Sequence, residues 1–448
     1  MRKTQRKTSV IIHRFSCVLL VLLSSIRFSF SQQVQDTAHI DNQRFSSILN
    51  ELIQAAKTNP ELASADAQIQ ASIASVGAKK TLEPPQVAIE FYQTPVSSFP
   101  NPIKDQMEYD YSIQQTIPFP GKLATMAGAE QKRTEMLRSN RITQEQDIVR
   151  NVKARYFELY LKYRQIEINH ETLMLVRSFV DVAQQQYGVG MGKQSDVLRA
   201  QTELLSLTND SIVLFQQRKS IEGMLNALCN RPVTTAIPYV PEIAPMQRTY
   251  AINTLLTLAE KNRPELKSMQ TGIEMQQTER LAAHKEYLPD FMVRGVYKQM
   301  IKSNDDWSLM VGATIPFAPW SIKKISSGTM RADANISNAQ SEKNTMKNMI
   351  ASEVNDALLK LESSSQQLKL SRETAIPQAQ QTLESALAAY RTGKQEFLML
   401  IDIQRMLVMA KLDYHMAVMN LLDSQSRLER AVGLTIDEID KNSERGKN

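Results

Sequence analysis

The chain has 448 residues, 42% of them hydrophobic and 22% charged, with 14 Gly and 17 Pro. So little Gly and Pro argues against a many-turned all-β or collagen-like fold, and so much apolar content excludes a wholly disordered chain. The formal charge is +6, but Arg2, Lys3, Arg6, Lys7, Arg14 and Arg27 supply all of it; the remaining 417 residues carry 47 basic and 47 acidic side chains. A neutral body has no basic excess for phosphates, so nucleic acid is not an expected partner.

Residues 1–31 read as a secretory signal peptide. Basic Met1–Arg14 runs into apolar Phe15–Ile26, and Ser29-Phe30-Ser31 supplies small residues for cleavage after Ser31. Cleavage would leave Cys229 as the one cysteine, so the exported fold cannot rest on an internal disulfide. No later stretch has 18 consecutive apolar residues, which leaves a soluble exported protein or a β-barrel.

The mature sequence repeats itself. Asn59-Pro60-Glu61-Leu62 returns as Arg263-Pro264-Glu265-Leu266, offset by 204. Ile117-Pro118-Phe119 returns as Ile315-Pro316-Phe317 at 198, and Gly192-Lys193-Gln194 as Gly393-Lys394-Gln395 at 201. One unit used twice follows: a first repeat over 32–229, a Pro-rich linker over 230–248, a second repeat over 249–433 and a polar tail over 434–448.

Each repeat carries the same expected elements: short helices, two strands, a very long helix, a turn and a long return helix. In the first, helices are expected at 122–187 and 194–229. The stripe Ile148, Val152, Tyr156, Leu159, Tyr163, Ile166, then Leu173, Val176, Val180, Ala183, Tyr187 steps by three and four, as a coiled coil does, with His170 at the one position between Ile166 and Leu173. His170, the one polar interruption nearby, is expected at a helix interface. At ~1.5 Å per residue this helix reaches roughly 100 Å. Gly188, Gly190 and Gly192 then reverse the chain through positive φ. In the second repeat, helices are expected at 321–392 and 395–433, with a break at Gly393 and a kink or break at Pro377.

The strands are expected at 86–92, 107–117, 291–299 and 306–315, where the pattern changes to period two. Tyr109, Tyr111, Phe291, Val293, Leu309 and Val311 lie on an apolar face, and Glu108, Asp110, Arg294 and Lys298 on a polar one. Such alternation fits a half-buried sheet and a lipid-facing barrel alike. Four strands cannot close a barrel, so strands entering a membrane must be pooled by several chains.

No catalytic, cofactor or metal site is legible. Gly188–Ser195 is not a phosphate loop, because the spacing before Gly192-Lys193 is wrong and no Ser or Thr follows Lys193. The histidines are isolated. Met399, Met406, Met409, Met416 and Met419 step along one helix, where adaptable packing is the favoured reading over soft-metal contact.

The ordered set of Gln115-Thr116-Ile117-Pro118-Phe119-Pro120-Gly121-Lys122, Tyr187–Gln201, Glu286-Tyr287-Leu288-Pro289-Asp290-Phe291 and Tyr390-Arg391-Thr392-Gly393-Lys394 resembles the outer-membrane factor (TolC-like) family, in the branch serving heavy-metal and resistance-nodulation-division (RND) pumps. The second repeat departs from it, with Ala318-Pro319-Trp320 where the first has Pro120-Gly121-Lys122. The resemblance implies a mainly α fold with a small β part, assembled as a homotrimer. A twelve-stranded barrel would sit in outer-membrane lipid on an α-helical barrel in the periplasm of a Gram-negative cell.

It also implies a passive efflux duct, not an enzyme, partnered by a periplasmic adaptor and an inner-membrane RND pump. On this reading the apolar strand face meets lipid and the polar one lines water. Gly192, Lys193, Ser195, Asp196, Val197, Leu198, Gly393 and Lys394 would form the adaptor-docking tips. Asp196 and Asp402 are candidates for carboxylate rings at an aperture, against capping or a solvated face. A type I protein-secretion channel and a secreted coiled-coil structural protein stay as alternatives.

Overall fold

The computed structural model describes residues 41–103, 106–301 and 303–445. The expected signal peptide lies outside the described residues. The elements are α1 (41–56), α2 (Pro60–Lys80), β1 (Gln86–Tyr92), β2 (Glu108–Ile117), α3 (Lys122–Gly188), α4 (Gln194–Leu228), α5 (Ile252–Asn262), α6 (Pro264–Lys285), β3 (Phe291–Met300), β4 (Asp306–Ala313), α7 (Pro319–Leu370), α8 (Ile376–Arg391), α9 (Phe397–Val432) and α10 (Ile436–Arg445). They divide into two compact units: residues 60–145 with 258–352, and the remainder of the chain.

The unit of 60–145 and 258–352 holds the sheet. Pro60 and Pro264 open α2 and α6, where the missing N–H costs no hydrogen bond, and Glu61 and Glu265 place negative charge in each first turn. The faces these helices bury mix aliphatic with hydroxylated side chains: Leu62, Ala65, Ile69 and Ser72 on α2, and Leu266, Ser268, Thr271 and Ile273 on α6. Ser72 Oγ lies 2.8 Å from Thr134 Oγ1, and Ser268 donates to Asn140 Oδ1 at 2.7 Å. The strands form one antiparallel sheet in the order β1-β2-β3-β4. β1 pairs with β2 alone and β4 with β3 alone among the described residues, so both edges are open.

The other unit is helical and rests on α3. Here the buried band is wider than one coiled-coil stripe. Val152, Tyr156, Leu159 and Tyr160 are all fully buried, together with Phe157 and Tyr163. The width has a cause in α1 and in residues 230–250, which cover further faces of the helix: Phe45 lies 4.8 Å from the Tyr156 ring, and Tyr239 lies 5.0 Å from Tyr163. His170 is exposed rather than interfacial. Towards the end of α3, Phe179 is buried, Val180 only in part, and Tyr187 is half exposed, so the stripe drifts from the sequence pattern.

The segment 230–248 has no regular secondary structure, but it is a packed strap rather than a free connector. Val240 is fully buried, and its carbonyl accepts from Arg164 Nη2 at 2.9 Å. Asn226 Nδ2 donates to the carbonyls of Val233 and Thr235. The expected polar tail contains α10, with Ile439 fully buried and Asp440 bound by Arg248 and Tyr250. At Pro377 the chain neither breaks nor stops. Ser371–Ala375 form a π turn, and α8 resumes with Pro377 in its first turn. A wider turn accommodates the ring and the missing donor that a regular α-helix would not.

Candidate functional site: a two-faced sheet and two helical turns

The sheet register puts the sequence-predicted faces together. Tyr109, Tyr111 and Ile113 stand opposite Gln299, Tyr297 and Gly295, and Val293 opposite Val311. Burial is inverted relative to an ordinary soluble sheet. Leu309 and Val311 are 62% and 70% exposed, with Tyr111 and Phe291 near two-fifths, and Tyr109 and Val293 half-buried. On the opposite face Glu108, Asp110 and Ser112 are buried. Lys298 Nζ reaches Glu108 Oε1 at 2.6 Å and Asp110 Oδ2 at 3.4 Å. Arg294 Nη2 lies 3.4 Å from Ser112 Oγ and 3.9 Å from Glu90. All four predicted polar residues thus share one charged face of the sheet.

At the foot of the sheet the two quoted motifs meet. Lys122 Nζ is 2.8 Å from Asp290 Oδ1, which also accepts from the Phe119 backbone N–H at 3.0 Å. Lys122 is buried. Nearby, a cavity of about 1360 Å³ is lined by Met126, Met136, Met275, Arg133, Glu279 and Arg331, among others.

In the helical unit the two turns lie together: Gln186 Nε2 donates to the Arg391 carbonyl at 3.2 Å. Each ends a helix through a left-handed glycine, Gly190 at φ +75° and Gly393 at φ +69°. Gly188 instead completes α3, and Gly192 serves close approach. Its N–H donates to the Gln186 carbonyl at 2.9 Å, and a Cβ there would lie 2.9 Å from Gln186 Cβ. Beneath the turns Phe397, Leu400, Val176, Phe179 and Ala200 form a dry core.

Lys193, Ser195, Leu198 and Lys394 are exposed, and Asp196 and Val197 half-buried. Asp196 sits in the first turn of α4, where negative charge is favoured, and Lys193 at the N-cap makes no side-chain cap bond. The buried Tyr390 hydroxyl titrates above its usual range, through burial and then through the charge of Asp196. Asp402 is exposed on α9. Met399, Met406, Met409 and Met416 are exposed on the same helix, so the packing favoured from sequence is not formed within the chain. Leu198, Leu205 and Ile212 make a second exposed stripe along α4, at heptad spacing. Among the described residues no helix is long and apolar enough to cross a membrane, and no group of His, Cys, Asp and Glu could hold a metal ion.

The sequence matches the model of the outer membrane efflux protein family twice, over residues 52–231 and 255–434. The chain belongs to that family. As an outer membrane efflux protein it is a channel of the cell outer membrane that extends into the periplasm. Solved structures share its fold. VceC of Vibrio cholerae superposes with a TM-score of 0.73 at 17% identity, covering 88% of this chain and 98% of that one. The CmeC outer membrane channel of Campylobacter jejuni gives 0.71 at 15%, covering 91% and 92%, and the outer-membrane channel OprN gives 0.73 at 16%, covering 87% and 91%. No curated protein is similar enough in sequence to match.

Sequence reasoning missed the cluster holding the strap. Arg164 is buried, donates to Tyr239 Oη at 2.6 Å and pairs with Glu167 at 2.7 Å. His415 joins nearby, its Nδ1 3.1 Å from Tyr160 Oη. Burial, with Arg164 and Lys411 close by, lowers the His415 imidazole to about 4. No motif announces this cluster; the only sequence signal was an aromatic-rich stretch of α3.

Proposed function

We propose that this outer membrane efflux protein acts as a homotrimeric, passive duct. Three four-stranded sheets pool into one twelve-stranded barrel, and the long helices continue it through the periplasm. The observation that carries the reading is the sheet itself, open at both edges, with Glu108 and Asp110 buried on its charged face and Leu309 and Val311 exposed on the other. An open edge in lipid would leave backbone groups unpaired, so closure through neighbouring copies is required. The exposed stripes on α4 and α9 supply apolar surface for helix contacts between copies.

Within this assembly Tyr109, Tyr111, Phe291, Val293, Leu309 and Val311 meet lipid, and Glu108, Asp110, Arg294 and Lys298 line the water-filled lumen. The turns around Gly192 and Gly393 dock a periplasmic adaptor, which couples the duct to an inner-membrane pump of RND type. Asp196 is placed near the narrow end and attracts cations there. The cargo is small molecules or metal ions, and the energy comes from the pump.

Disulfide trapping tests the assembly. Cysteines scanned along Val87–Phe91, paired with cysteines along Leu309–Ala313, should give bands at two and three times the protomer mass on oxidation in intact cells. Monomer alone at every pairing would overturn the trimer.

A further inference from the structure

Trp307 and Trp320 are the two tryptophans of the chain; Trp307 is the second residue of β4, and Trp320 lies beyond the strand's other end, in the first turn of α7. Trp307 is 78% exposed and Trp320 is 77% exposed. So much bare indole is unexplained by packing within the chain. Trp307 belongs to a row: the register sets Tyr111 opposite Tyr297 and Tyr297 opposite Trp307, all exposed on the apolar face. Beyond the other end of β4 come Phe317 and Trp320, with Ile322 also exposed.

The internal repeat sharpens the point. With Ile117-Pro118-Phe119 laid on Ile315-Pro316-Phe317, the counterpart of Trp320 is Lys122. Lys122 turns inward to Asp290, whereas Trp320 stays exposed. The start of α7 presents two sides. Ser321, Lys324 and Ile325 line the cavity of the sheet unit; Phe317, Trp320 and Lys323 do not. Lys323 follows Trp320 by one helical turn and is exposed.

We propose that Phe317, Trp320 and Lys323 form an interfacial anchor on the periplasmic leaflet of the outer membrane. The two rings sit at the headgroup boundary, and the lysine meets phospholipid phosphate. This rests on the reading that the apolar sheet face meets lipid. Indole suits that boundary because it is apolar with one N–H donor, and lysine extends its charge to the headgroups along an apolar stem. Length agrees. β4 from Trp307 to Ala313 reaches roughly 20 Å at ~3.4 Å per residue, within an apolar band of about 25 Å, and the turn at Pro316 and Phe317 carries the chain from its end to Trp320.

Fluorescence of the full-length protein in phosphatidylethanolamine/phosphatidylglycerol vesicles tests it. Trp307→Phe leaves Trp320 as the reporter, and Trp320→Phe leaves Trp307. Lipids brominated near the headgroup should quench Trp320 about twofold or more beyond lipids brominated at the chain end, as an interfacial ring requires. Aqueous acrylamide should reach it poorly. Ready quenching by acrylamide with none by either lipid would place Trp320 in water and overturn the anchor. Shielding from all three quenchers would place it against a second copy, and overturn it equally. If Trp307 also escapes both lipids, the membrane reading of the sheet falls as well. Lys323→Glu in the Trp307→Phe background should weaken shallow quenching in phosphatidylglycerol vesicles, and more than in phosphatidylcholine. No weakening in either lipid would remove the lysine from the anchor.

Discussion

Lys122 Nζ and Asp290 Oδ1 are 2.8 Å apart, joining the first residue of α3 to the residue just before β3. The two sit in different repeats, 168 positions apart in sequence. The pair is unequal: the lysine side chain is 4% exposed and the aspartate 30%. Removing the aspartate leaves a buried ammonium with Glu286 at 3.8 Å in place of its 2.8 Å partner, whereas removing the lysine leaves a carboxylate that is 30% exposed and still accepts from the Phe119 N–H. Asp290→Asn should therefore cost more stability, about 2–3 kcal/mol against about 1 kcal/mol for Lys122→Met. Thermal unfolding in detergent measures the order, and the reverse order would contradict it.

The two sheet faces should respond oppositely to substitution. Val311→Arg should impair membrane assembly, because Arg near the bilayer centre of a barrel costs roughly 2–4 kcal/mol. Arg294→Ala, on the charged face, should assemble. Heat-resistant oligomer in outer-membrane fractions is the readout; equal tolerance of both would return the sheet to a soluble role.

His415 sets a pH dependence. Its folded imidazole titrates at about 4 and its unfolded one near the ordinary 6.5. Between those values the unfolded chain binds the extra proton, so stability rises with pH across that window. It should be fully present above about 6.5 and fall as pH drops toward 4, by roughly 2–3 kcal/mol in all. The groups facing His415 are Tyr160, Tyr414, Arg164, Lys411 and Glu171. His415→Gln should flatten stability between pH 4 and 6.5; an unchanged slope would assign the dependence to other groups.

At the turns, Gly192→Trp should abolish export while oligomer and barrel stay intact, since no side chain fits beside Gln186. Gly393→Val adds a β-branched residue at positive φ, a cost of roughly 1–2 kcal/mol confined to the turn. Asp196→Ala should alter cation block of single-channel current in planar bilayers. An unaltered block would leave Asp196 a helix-terminus charge alone.

Period-two alternation and the glycine turns were readable because each follows from local chemistry. A strand shows its two faces every second residue, and only glycine takes the left-handed turn freely. The strap was harder to see. Pro232, Pro238, Pro241 and Pro245 suggest an open connector, and only tertiary packing shows Val240 buried under Arg164. Ile439 in α10 was hidden for a similar reason, being one of two isoleucines among charged and polar residues. The Met row on α9 was assigned to packing, yet four of its five members, Met399, Met406, Met409 and Met416, are exposed among the described residues. Periodicity reports that a face is apolar, not which molecule covers it.

Two open edges also have a genetic consequence. If three chains close one ring, each chain supplies one side of two different joins, and a single defective edge opens the whole ring. A variant blocked only at β4 would fold, enter mixed rings and spoil them. Expressed equally with the wild type, it would leave roughly one ring in eight intact. Edge lesions should therefore be dominant over the wild-type allele, whereas loss of the whole chain should be recessive.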